Sequence, residues 1–101
     1  MERRYKLLAR GYDLDKIAER VSKVMELEMS EIWAPGKERK RVAARSLLCY
    51  WSVRNVGISM AELSRQLNLS PSGVSLAVKR GEQIARERNY FLHSTAVKLQ
   101  N

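Results

Sequence analysis

The sequence predicts an all-α domain of four to five helices that contains a helix-turn-helix. Apolar residues recur at three- and four-residue spacing, and strand-like alternation is absent. Only two prolines and five glycines punctuate 101 residues, which leaves room for long helices. Residues 59–80, SMAELSRQLNLSPSGVSLAVKR, read as two capped helices in tandem.

Residues 1–12 are basic and weakly apolar. Tyr5, Leu7 and Leu8 suit a turn of helix, but a tail or a linker from a longer protein fits equally well. The domain proper is expected at 13–89, with a C-terminal tail at 90–101. Asp13 is an N-cap candidate for a helix over about 14–26. Leu14, Ile17, Ala18, Val21, Val24 and Met25 form its apolar stripe, with Lys16, Glu19, Arg20 and Lys23 outside it. Residues 27–29 connect to a single turn containing Ile32 and Trp33, which Ser30 is expected to cap and Ala34-Pro35-Gly36 to stop. Trp33 is expected to lid the core.

A longer helix is expected over about 38–55, ending near Gly57. Its second half, Ser46-Leu-Leu-Cys-Tyr-Trp-Ser-Val53, is apolar nearly all round, as in a helix surrounded by others. Ser59 caps the next helix, with Glu62 completing a capping box. Met60, Leu63 and Leu67 then share one face. Asn68 suits the left-handed conformation that ends a helix. Ser70 caps again and Pro71 sits at the first helical position, where its missing N–H is not needed. Val74, Ala77, Val78 and Gly81 continue at helical spacing on the inner face. The helix is expected to run through Ile84 and Ala85 to near Asn89.

The chain carries 19 basic against 11 acidic residues, a net charge of +8, and a pI of about 10.1. That excess favours a polyanionic partner such as nucleic acid. No helix combines a basic face with an exposed aromatic one, so a membrane surface is not expected as partner. No apolar run reaches transmembrane length, and the start lacks a signal-peptide pattern. A lone cysteine, Cys49, forbids an internal disulfide and fits a reducing cytosol. Its apolar neighbours make it a buried small hydrophobe. One histidine, His93, and one cysteine cannot form an ordinary zinc site. No paired histidines, activated nucleophile or phosphate loop is evident, so neither a catalytic residue, a cofactor, a metal nor a small-molecule substrate is expected.

Two groups of residues point to duplex DNA. Ser70, Ser72, Ser75, Leu76 and Lys79 lie on the outer face of the second helix of the pair. Small hydroxyls, an apolar contact and a lysine suit base edges and phosphates. Lys37, Arg39, Lys40, Arg41 and Arg45 cluster at the start of the central helix. Helix N-termini prefer acids, so these cations are expected to serve phosphates, with one arginine available to the minor groove. Arg65 and Arg80 are further phosphate candidates.

The stretch Arg41-Val-Ala-Ala-Arg-Ser-Leu-Leu-Cys-Tyr-Trp51, followed by Ser59-Met-Ala-Glu-Leu-Ser-Arg65, resembles the C-terminal DNA-binding domain (domain IV) of the bacterial replication initiator DnaA. The resemblance covers roughly residues 13–88. It implies a Trp-repressor-like fold, a recognition helix in the major groove and basic-loop arginines near the minor groove. Leu69-Ser70-Pro71-Ser72-Gly73 stands where the initiator has its Arg-Asp-His run, one residue shorter. Residues 44–82 as a whole are more similar to the initiator-like domain at the C-terminus of REP-associated HUH tyrosine transposases. That resemblance implies the DNA-recognition module of a longer, cytoplasmic, nucleoid-associated protein whose catalytic residues lie elsewhere. On it, Arg39, Arg41 and Arg45 match the basic loop, and Ser70, Ser72, Ser75 and Lys79 the recognition face. The expected function is therefore sequence-specific binding of double-stranded DNA. The alternative is a protein-interaction or oligomerisation bundle whose basic face meets an acidic protein.

Overall fold

A computed structural model describes residues 13–34, 36 and 38–92. Every regular element among them is helical. The order is α1 (Leu14–Met25), α2 (Met29–Trp33), α3 (Arg39–Tyr50), a π-helical segment (Trp51–Val56), α4 (Met60–Leu67) and α5 (Pro71–Arg88). The expectations for residues 1–12 and for His93 lie outside the described residues.

Local chemistry accounts for most helix ends. The Asp13 carboxylate accepts from Lys16 N at 3.0 Å and starts α1. Glu26, at φ 55°, ends it in the left-handed region. The short α2 departs from expectation. Its cap is Glu28, joined reciprocally to Glu31 in a capping box, and Ser30 lies inside the helix. A glutamate in the cap position is a weak sequence signal, so the serine two residues on drew the prediction instead.

The central helix is also not uniform. Beyond Tyr50 the ladder widens to i→i+5 bonding over Trp51–Val56. Gly57, at φ 93°, closes it, and Ser52 O accepts from both Gly57 N and Ile58 N at 2.8 Å. Trp51, Ser52 and Val56 of this segment are buried.

The core forms two joined clusters. The larger gathers Ile17, Ala18, Val21 and Met25 of α1, Ile32 of α2, Leu47, Leu48 and Trp51 of the central helix, and Ala85 of α5. Trp33 packs half-buried against it, as a lid. Leu92 is buried in the same cluster, and Arg20 Nε donates to Phe91 O at 2.8 Å. The packed unit thus reaches past residue 89, the limit set by helical periodicity alone. The smaller cluster, Cys49, Leu63, Val74 and Val78, glues α4 and the first half of α5 to the end of α3.

Gly81 fixes how α3 and α5 meet. A Cβ there would lie 2.1 Å from Ser46 O and 2.6 Å from Tyr50 Cβ. The helices touch backbone to backbone at Ser46, with Tyr50 Cβ alongside, and no residue larger than glycine fits. Val74 and Val78 share a cluster with Cys49 and Val53, while Ala85 lies among the partners of Ala44. The two helices therefore run in opposite senses, with the first turn of α5 beside the last turn of α3.

Candidate nucleic-acid interface

α4 and α5 are joined by a tight turn at residues 68–70. Ser59 Oγ accepts from Glu62 N at 3.1 Å to start α4. Asn68 adopts φ 55°, ψ 45° and ends it. Ser64 ties the turn: its carbonyl accepts from Leu69 N at 3.1 Å and its hydroxyl donates to Leu69 O. Ser70 Oγ then accepts from Gly73 N at 3.0 Å and α5 begins at Pro71. Met60 shares the face of Leu63 but stands 38% exposed, because it sits at the free end of α4.

Helical geometry sorts α5 into faces. Val74, Val78, Gly81 and Ala85 are buried. At 100° per residue, Ser72, Leu76 and Lys79 fall on the opposite side, and all three are exposed, as is Arg80. Ser75 lies about a quarter-turn from the buried stripe and is only half-exposed, so it borders this face rather than centring it. Ser70 is exposed as well, but its hydroxyl oxygen already serves as the cap. It lies 3.5 Å from Ser72 Oγ.

The basic residues divide into two kinds. Arg39 and Lys40 are exposed on the first turn of α3 and, with Lys79 and Arg80, have no acidic ion-pair partner among the described residues. Arg41 sits 3.5 Å from Glu38. Arg65 pairs with Glu62, which also accepts from Gln66 at 2.8 Å; these bonds and the arginine hold the Glu62 carboxyl below its ordinary pKa. Such an exposed pair is weak. Lys37 lies outside the described residues.

Arg45 has a different place from the one its sequence neighbours suggested. Nη1 donates to Ala34 O at 2.8 Å and Nη2 to Gly36 O at 2.6 Å. Its guanidinium ties the α2–α3 loop to the side of α3 and is half-buried there. Arg45 thus organises the α2–α3 loop, while Arg39 and Lys40 are exposed on the helical turn that follows it. Sequence spacing groups all of them; only the folded loop separates them.

The exposed outer row of α5 begins at the opposite end of α3 from the α3 cations. The first turn of α5 lies beside the last turn of α3, and α3 spans about 18 Å. That length is about half of the ~34 Å repeat of duplex DNA. A concavity of about 450 Å³ is lined by Asp13, Asp15, Trp33, Ile58, Glu62 and Gln66. Its carboxylates repel phosphate, so it belongs to a different face.

Other chemistry is sparse. Burial pushes the Cys49 thiol up to about 12, with the Arg45 charge opposing the shift, so the thiolate is scarce near neutral pH. Among the described residues no group of His, Cys, Asp or Glu is placed to hold a metal ion, and no helix is long and apolar enough to cross a membrane. The chain matches no protein-family model, no curated protein and no solved structure.

Proposed function

We propose that this chain binds double-stranded DNA, with α4 and α5 acting as a helix-turn-helix and α5 entering the major groove. The observation that carries this reading is the sorting of α5. Its inner face is fully used by the core, while Ser72, Leu76, Lys79 and Arg80 stand outward directly after a capped, tight turn. A helix exposing a short polar and basic row at its N-terminal half suits base edges and the flanking phosphates. The net charge of +8 supplies the attraction to a polyanion. Arg39 and Lys40, set off by about half a helical repeat, suit phosphates across the adjacent minor groove. The resemblance to initiator and transposase recognition domains supports the same reading, including the role of a recognition module within a longer protein.

Fluorescence anisotropy with a labelled random-sequence duplex tests it. Log affinity should fall linearly with log salt, by about 0.9 for each phosphate contacted. Failure to bind duplex at low salt would overturn the proposal and favour an acidic protein as the partner of the basic face.

A further inference from the structure

We infer that Leu76 reads the 5-methyl group of thymine, which makes at least one thymine obligatory in the preferred site. The inference rests on the duplex-binding reading above. Leu76 is 52% exposed, the most exposed large apolar side chain among the described residues. It is not a stray surface leucine at an arbitrary place. It lies opposite the buried stripe of Val74, Val78 and Gly81, in the second turn of α5.

Its neighbours sharpen the point. Residues 70, 72, 73 and 75 are serine, serine, glycine and serine. The start of α5 is therefore slim, and its backbone can approach a groove floor closely. Leu76 is the one bulky side chain projecting from that slim stretch. It has neither donor nor acceptor, so it cannot distinguish bases by hydrogen bonding. The thymine methyl is the apolar mark that the four base pairs present in the major groove. Met60 and Phe91, the other exposed large apolar residues among the described ones, lie at the start of α4 and beyond the end of α5, away from this row.

The test uses the whole chain and two rounds of duplex. A randomised duplex pool is first passed over the protein, and the enriched sequence is identified. That sequence is then resynthesised with deoxyuridine for thymine at single positions, which removes a methyl and leaves base pairing intact. The expected result is a fixed thymine whose replacement weakens binding about three- to fourfold, the worth of one buried methyl. Leu76→Ala should bind the thymine and uracil duplexes alike, with its circular dichroism unchanged because the residue belongs to neither core cluster. Enrichment without a fixed thymine, or a uracil penalty that survives in Leu76→Ala, would overturn the inference and leave duplex binding standing. Absence of any duplex binding would remove both.

Discussion

The first turn of α5 carries Ser70 on its cap position, Pro71 next and no charge, whereas the first turn of α3 carries Arg39, Lys40 and Arg41 and no side-chain cap. One end satisfies its orphan N–H groups locally. The other places positive charge against the positive end of the helix dipole, with only Glu38 nearby to offset it. The start of α3 is therefore held from outside the helix. Arg45 anchors the preceding loop, and the buried half of α3 locks onto α5 at Gly81. A helix that gains nothing locally from its first residues leaves those residues available for a partner.

Four measurements can break or sharpen this contrast. The largest effect is expected at Gly81. Gly81→Ala drives a methyl into the Ser46 carbonyl, which a backbone cannot vacate, and should cost about 3 kcal/mol in a denaturant melt. Gly73→Ala in the same helix meets the Ser70 hydroxyl at 3.2 Å and Leu69 Cβ at 3.8 Å, and should change stability by about 1 kcal/mol at most. Equal costs would show that α3 is not held by close approach to α5.

Arg45→Ala comes next. It removes two charged hydrogen bonds to carbonyls, so about 2 kcal/mol should be lost. Arg45→Lys cannot span both acceptors and should recover less than half. Full recovery by lysine would mean that charge, rather than the fork, matters there.

Ser70→Ala should cost about 1 kcal/mol, the usual value of an N-cap hydroxyl. Glu38, at the same position of α3, accepts no cap bond, so Glu38→Ala should cost clearly less in a parallel melt. If the two match, the start of α3 is locally capped after all.

The smallest effect carries the sharpest sign. Arg39→Gln with Lys40→Gln should raise stability by about 0.3–1 kcal/mol at low ionic strength, through relief at the dipole. The same variant should bind random duplex more weakly and with a shallower salt dependence. A loss of stability would place these cations in a structural role.

The sequence exposed what short-range chemistry decides. Asp13, Ser59 and Ser70 each accept the predicted capping bond, and Asn68, Gly57 and Asn89 take positive φ where a helix must stop. The burial of Cys49 and Trp51 follows from the run that is apolar nearly all round, and that of Leu63 and Val74 from helical spacing. Long-range partners stayed hidden. Gly81 scans as an ordinary inner-face residue, and nothing local says that Ser46 lies against it. Arg45 resembles its basic neighbours until the carbonyls of Ala34 and Gly36 turn toward it. Ser64 gave no signal because its partner, Leu69, belongs to a turn whose shape is known only once folded. The π-helical widening at Trp51 has no local signal, since no residue type demands it.

Cys49 sits beneath the α4–α5 pair, in the cluster with Leu63, Val74 and Val78, and its sulfur is fully shielded. A thiol-labelling reagent can reach it only when that pair lifts from the end of α3. The single cysteine is thereby a clock for one local opening. Where reclosing outpaces labelling, the observed rate reports the free energy of that opening. A ligand seated across α5 would slow the clock in proportion to its occupancy, without any engineered probe.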